Sequence, residues 1–411
     1  MSVSTQTSQS ERAFGSIFLI FLRLGLTSFG GPVAHLAYFR NEFVERRHWL
    51  SERSYADLVS LCQCLPGPAS SQVGMAIGLQ QAGYRGALAA WLGFTLPSAL
   101  LLILFALGIT HYGDGMSAGL LQGLKAAAVA VVIQAVWAMA RTHCVGLTRF
   151  AMMVLATCGV LAVPTPAGQA GVLILAAIVG LYLCKPKHLE STAKDAIPVT
   201  LRRRTGVFWL AVFFVLLFGL PLAVLLINHQ ALLIVDAFYR SGALVFGGGH
   251  VVLPLLQAEV VTTGWVNEDQ FLAGYGAAQA VPGPLFSFAA FLGAASSLPP
   301  SGWVGGVIAL FAIFTPSFLL VAGVLPFWES LRHHVRMRAA LNGVNAAVVG
   351  LLLAALYDPI WTSAIRAPAD FVLVFLAWVG LVLARLPAWL VVLLSGLMGW
   401  AADYFALLLV L

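Results

Sequence analysis

Charge is what this chain has least of. Asp, Glu, Lys and Arg make up 9% of its 411 residues, against about 25% in a soluble globular protein, and that shortfall excludes a water-soluble fold. No stretch between apolar segments is long enough for a separate soluble domain. Cysteine is scarce as well: Cys62, Cys64, Cys144, Cys158 and Cys184 show neither CxxC spacing nor a secreted disulfide framework, so they read as reduced packing residues. HExxH, GxSxG and paired-His motifs are missing, which argues against an intramembrane enzyme. No metal, cofactor or nucleic acid is expected. The first 13 residues carry one Arg, and the apolar stretch after them is followed by no small-residue cleavage site.

What the chain has instead is hydrophobic length. It is 60% hydrophobic, and apolar stretches recur at 86–110, 117–140, 168–184, 206–228, 301–326, 339–357 and 387–411, with shorter ones at 149–163 and 369–385. A spanning helix needs roughly 20 apolar residues. The fold class expected is therefore an all-α polytopic membrane protein in the lipid bilayer.

Two of its apolar regions contain the same helix-breaking phrase, QCLPGP at 63–68 and QAVPGP at 279–284. Around it the whole chain repeats. FLRLGLTSFGGP (21–32) aligns with FYRSGALVFGGG (238–249), matching Arg23 to Arg240, Gly25 to Gly242, Gly30 to Gly247 and Gly31 to Gly248. Glu42 meets Glu259, WLSE (49–52) meets WVNE (265–268), FTLPS (94–98) parallels FTPS (314–317), and Gly123 parallels Gly343. The expected organisation is a membrane repeat at 12–184, a basic linker plus one extra transmembrane helix at 185–228, and a second repeat at 229–411.

One extra crossing between units that each cross an even number of times turns the second unit upside down. Loop charges agree with this. Residues 40–53 hold four Arg, while their partner 257–270 holds no Lys or Arg and three acids; 111–116 hold no Lys or Arg, while 327–338 hold three Arg. With 40–53 cytoplasmic, segments 12–45 and 54–82 enter and return, leaving four crossings per unit. The competing reading lets each cross once, for 13 spans, and both readings give inversion.

Hydrocarbon tolerates broken backbone only where it is buried in protein or lines a wet cavity. Inverted repeats with discontinuous helices are the build of secondary transporters, whose half-helix ends face a substrate near the midplane. The chemistry at these breaks suits an anion, because Pro at a helix start leaves free amides behind it. The expected substrate-binding residues are Gln63, Pro66, Gly67, Pro68, Ser70 and Ser71 with Gln279, Pro282, Gly283, Pro284 and Ser287. Gly30, Gly31, Gly247 and Gly248 offer a second pair of exposed amides, and Arg23, Arg240 and Lys125 supply cations. Glu42 and Glu259 are the coupling candidates.

At FGGP…WxSE…QCLPGP and its second copy, the sequence resembles the chromate ion transporter family in its long, two-unit form, over nearly the whole chain. The resemblance implies an antiporter-type carrier in the bacterial inner membrane that exports chromate and confers chromate resistance, with sulfate as the natural isostere. It also implies 13 spans with oppositely oriented halves, which agrees with the parity argument and not with the placement of 40–53. The residues alone leave sulfate, molybdate or another oxyanion open, as well as a lipid-phosphate flippase, and they leave room for a homodimer.

Overall fold

The computed structural model describes residues 13–112, 117–184, 202–227, 229–246, 248–328 and 335–410. Gly247, the polar amino terminus up to residue 12, most of the basic linker and parts of loops 111–116 and 327–338 lie outside the described residues. Among the described residues there is no strand, and six helices are long and apolar enough to cross a membrane.

The first repeat begins with α1 (Phe14–Thr27), α2 (Gly31–Arg40), α3 (Glu52–Cys64) and α4 (Ala69–Tyr112). The breaks fall where the sequence forbids helix. α1 stops short of Phe29-Gly30-Gly31, and Gly30 with φ 102° stands at the amino-terminal end of α2. α3 ends at Cys64 and α4 resumes at Ala69, leaving Pro66-Gly67-Pro68 outside both. α4 is not one rod, because Ala82 and Gly83 leave the helical region and Gly83 has φ 61°. The chain turns back there, so that a side chain on Gly78 would strike the Gly86 carbonyl and Ala90.

The second repeat makes the same moves with α9 (Gln230–Leu244), α10 (Val252–Val260), α11 (Glu268–Ala280), α12 (Phe288–Ala295) and α13 (Gly302–Val324). Gly293 there meets the Gly305 carbonyl and Ala309 as Gly78 meets Gly86 and Ala90. Between the repeats, α8 (Arg203–Leu226) lies along α13 with only 6% of its apolar window buried, a helix that faces lipid.

The remaining helices are α5 (Ala118–His143), α6 (Leu147–Ala162), α7 (Pro166–Leu183), α14 (Val335–Ala355), α15 (Pro368–Val382) and α16 (Ala388–Val410). They interlock across the repeats. α5 packs on α15 and α16, while its counterpart α14 packs on α6 and α7. Small residues make both contacts close. Gly123 sits against the Ser395 carbonyl and Gly119 against Gly399, and in mirrored fashion Gly343 sits against the Ala176 carbonyl and Gly180. Asp403 of α16 also caps α5, accepting from the Ser117 hydroxyl at 2.7 Å and the Gly119 amide at 3.3 Å, a carboxylate where the helix end is positive.

Candidate functional site

The broken segments meet at the centre, and each break is completed by the other repeat. The Gly67 amide donates to the Val245 carbonyl at 2.7 Å, and the Gly283 amide donates to the Ser28 carbonyl at 3.1 Å. Val245 and Ser28 are repeat partners that stand just before the two Phe-Gly-Gly breaks. Each Pro-Gly-Pro break therefore pairs with the Phe-Gly-Gly break of the opposite repeat. These bonds satisfy backbone that a helix has released inside an apolar environment, where an unmet amide costs several kcal/mol. A Cβ on Gly249 would lie 3.3 Å from Pro32 Cγ. Those two positions are also repeat partners.

The glycines are required by both conformation and space. Gly67 has φ 118° and Gly283 φ 111°, left-handed values that disfavour any side chain. A Cβ on Gly67 would collide with Ser317 Oγ and with Gln72 Nε2, and one on Gly283 would lie 2.8 Å from Ser98 Oγ. Ser98 and Ser317 end the FTLPS and FTPS motifs, so the crossing is again reciprocal.

The two halves of the site differ in their hydroxyl hydrogen bonding. Ser98 Oγ and Ser287 Oγ share a hydrogen bond at 2.7 Å. The hydroxyls at the corresponding places, Ser317 and Ser71, are buried and have no partner among the described residues. Gln72 Nε2 donates to the Pro66 carbonyl at 2.6 Å, leaving Gln72 Oε1 buried and unmet. Ser70 Oγ lies 3.4 Å from His35 Nδ1. Ser70 and Ser71 occupy the first turn of α4, whose opening amides have no helical carbonyl ahead of them. Around Pro68 the described residues therefore hold buried hydroxyls and a buried amide oxygen without protein partners, beside the first turn of α4.

The cations predicted for the site are placed differently. Arg23 is exposed on α1 with no ion pair among the described residues. Lys125 is buried and bonded to Asp269 at 2.7 Å, and Asp269 also lies 3.5 Å from Arg366. Arg240 is bound by Asp236 and Glu259, each at 2.9 Å. Glu42 finds other partners, Arg47 at 2.7 Å and Arg46 at 3.1 Å. Burial opposes the Glu42 charge, but the hydrogen bonds from Arg47 and Arg46 outweigh it and hold the carboxyl below the usual carboxylate range. Gln63 and Gly30 are exposed, Gly31, Pro66, Gly248, Gln279 and Gly283 are half-buried, and Pro68, Pro282, Pro284 and Ser287 are buried. Among the described residues no group of three His, Cys, Asp or Glu could hold a metal.

Sequence reasoning missed Ser28, Ser98, Val245 and Ser317, along with Asp236. The two motif serines carried a signal, because each closes a repeated FT(L)PS phrase. Asp236 carried one too, as an acid one helical turn before Arg240 in an apolar run.

A cavity of about 530 Å³ at the end of α4, lined by His111, Asn267, Gln270, Trp265 and Ser297 among others, adjoins a second of about 520 Å³ that reaches Asp269 and Arg366. The two share Thr110, His111, Asn267 and Gln270, forming one open vestibule at the start of α11.

Comparison with known proteins agrees with the two-unit build. The family model described as chromate transporter matches twice, over residues 15–183 and 232–400. A chromate transport protein of Pseudomonas aeruginosa is 30% identical over 97% of this chain and 94% of its own length. A probable chromate transport protein of Synechococcus elongatus is 28% identical over 82% and 81%, and a chromate transport protein of Cupriavidus metallidurans 25% over 82% and 80%. No solved structure matches. A multi-pass helical chain made of two repeated units, matched by the family model in both, belongs to the chromate transporter family.

Proposed function

We propose that the protein is a secondary carrier that exports chromate, or a sulfate-like tetrahedral oxyanion, across a bacterial inner membrane and so confers chromate resistance. The observation that carries this reading is the reciprocal crossing, Gly67 to Val245 and Gly283 to Ser28. Two broken helices completed by their opposite repeats create a polar, water-poor centre that neither repeat has alone. The names of the relatives in Pseudomonas and Cupriavidus point to chromate as cargo.

In this reading units 12–184 and 229–411 are inverted relative to each other, with 185–228 supplying the odd crossing. Ser71, Ser317 and the opening amides of α4 meet the anion, because a dianion in a dry site requires donors on every side. The inequality of the two hydroxyl pairs supports alternating access: the Ser98–Ser287 pair is closed, and the Ser71–Ser317 pair is parted and able to receive oxygen atoms. Exchange of these states by rocking one repeat against the other moves the site from one face to the other. Sulfate and molybdate satisfy the same geometry and compete for it.

The test is uptake of radiolabelled chromate by everted membrane vesicles, with sulfate as competitor and an uncoupler of the proton gradient. Accumulation that sulfate suppresses and the uncoupler abolishes is the expected result. Vesicles that take up no more chromate than vesicles lacking the protein would overturn the reading.

A further inference from the structure

The cluster Asp236–Arg240–Glu259 is the most heavily ionised part of the buried protein, and the proposed anion site makes no use of it. Asp236 is 5% and Glu259 8% exposed. Arg240 Nε and Nη2 donate to Asp236 Oδ2, Arg240 Nη2 and Nη1 reach Glu259, and Asp236 Oδ1 is buried with no partner among the described residues. Two carboxylates facing one guanidinium leave an excess negative charge, with the carboxylate side chains 7% and 10% exposed and that of Arg240 27%, and a poorly compensated buried charge is among the costliest features a fold can keep.

Neighbouring elements offer little to neutralise it. Against α9 lie α8, α10 and α13. α13 has no ionisable residue, and α10 contributes only Glu259 itself. The arginines of α8, Arg203 and Arg204, sit in its first turn, about ten residues before Phe213, whose carbonyl takes the Tyr239 hydroxyl at 2.9 Å. Against α10 lie α14, with Arg336 and Arg338 in its first turns, and α7, with Tyr182 near its end. His250, in the turn before α10, is bonded to Tyr275 at 2.8 Å.

The first repeat lacks this arrangement. Leu19 stands where Asp236 stands, and Glu42 is held by Arg46 and Arg47, whose counterparts in the second repeat are Thr263 and Gly264. The cluster is thus a property of one repeat, and it bridges a break: Asp236 and Arg240 lie on α9 and Glu259 on α10, with Val245 between them.

We infer that the Asp236–Arg240–Glu259 cluster binds one proton per transport cycle and that its occupancy sets how tightly α10 is strapped to α9. A proton from water adds to one carboxylate oxygen of the pair, forming an O–H bond and leaving that carboxyl neutral. One carboxylate then remains to match one guanidinium. The strap across the break loosens, and with it the segment whose Val245 carbonyl holds Gly67. Because only one repeat carries the cluster, the stoichiometry is one. The inference rests on the carrier reading for its transport consequence, but not for the proton itself.

Infrared pH-difference spectra of the full-length protein in lipid nanodiscs test the proton directly. The expected result is a protonated-carboxyl band whose intensity changes with pH, that sodium does not displace, and that disappears in Asp236→Asn and in Glu259→Gln. Asp236→Leu, which copies the first repeat, checks that loss of the band is not loss of the fold, and in proteoliposomes it should reduce pH-gradient-driven oxyanion accumulation by roughly tenfold or more. A band that persists in both carboxamide variants, or that sodium displaces, overturns the proposal. If the wild-type protein moves no oxyanion, the carrier reading fails while the infrared result stands by itself.

Discussion

The hydroxyls of Ser98 and Ser287 lie 2.7 Å apart across 189 residues of sequence, joining the two repeats at the closed half of the site. Their counterparts, Ser317 and Ser71, are each buried and unpartnered among the described residues. In the carrier reading, one such pair made and the other unmade corresponds to one of two access states.

That asymmetry can be trapped. In a background without the five native cysteines, Ser98→Cys with Ser287→Cys should cross-link under mild oxidant, since the hydroxyl separation is close enough for a sulfur–sulfur bond of about 2.05 Å after small side-chain adjustment. The cross-linked protein should lose transport and regain it on reduction. Free transport by fully cross-linked protein, measured by mass spectrometry and vesicle uptake together, would show that this contact never has to open.

The glycine crossings give a rescue experiment. Gly67→Ala forces a side chain into a left-handed conformation, at roughly 1–2 kcal/mol, and drives it into Ser317 Oγ. Transport should fall to background. The thermal midpoint in detergent should fall with it, and adding Ser317→Ala, which removes one of the struck atoms, should restore part of that midpoint, whereas adding Ser98→Ala should not. Equal rescue by both second substitutions would mean that the collision is not local.

The repeat and its breaks were legible because they are written in residue types with strong backbone rules: Pro, Gly, and the ordered Arg, Trp and Glu matches around them. The exchange of partners was not. Which repeat completes the Gly67 amide depends on how α4 turns at Ala82–Gly83 and on how α5 and α14 seat against hairpins of the opposite repeat. Those are small-residue contacts, such as Gly123 on the Ser395 carbonyl, that leave no periodic signal. Charge was legible as type and not as pairing. Arg23 and Arg240 align in sequence, yet one is exposed and the other bound by two carboxylates, because Leu19 and Asp236 differ one turn before them.

Lys125 and Asp269 form an uneven pair, the first 6% and the second 48% exposed at the side chain. Removing Asp269 strands a buried ammonium group, while removing Lys125 leaves a carboxylate that water and Arg366 still reach. With solvent screening allowed for, Asp269→Asn should cost about 1–3 kcal/mol, seen as a lower thermal midpoint in detergent. The exchange of the two, Lys125→Asp with Asp269→Lys, should not recover the loss, since it buries the carboxylate instead of the ammonium. Full recovery by that exchange would show the site to be wetter than its burial implies.

Inversion of the two units predicts the sides of matched loops. Arg47 and Thr263 lie in the matched loops 40–53 and 257–270. Cysteines introduced singly at these two positions should react with a membrane-impermeant maleimide from opposite faces, one in intact cells and the other only after permeabilisation. Labelling from one face for both would rule inversion out.

Arg23 and Arg240 separate substrate affinity from stability. Arg23 has no described ion pair, so Arg23→Gln should leave the thermal midpoint near that of the wild-type protein. If its charge draws the oxyanion toward the Phe-Gly-Gly break, the half-saturating chromate concentration should rise roughly five- to a hundredfold, the equivalent of about 1–3 kcal/mol, and Arg23→Lys should recover part of it because a point charge remains. Arg240→Gln is a different injury. It leaves Asp236 and Glu259 buried without their cation, a loss on the order of 3–5 kcal/mol for a buried pair, so the protein should be destabilised before any question of affinity arises. Adding Asp236→Leu should recover stability by removing one of the stranded charges, making the second repeat resemble the first. Binding and melting measured on the four proteins decide the matter: an unchanged half-saturation in Arg23→Gln makes that arginine an interfacial anchor, and a stable Arg240→Gln would mean that the two carboxylates have another means of neutralisation.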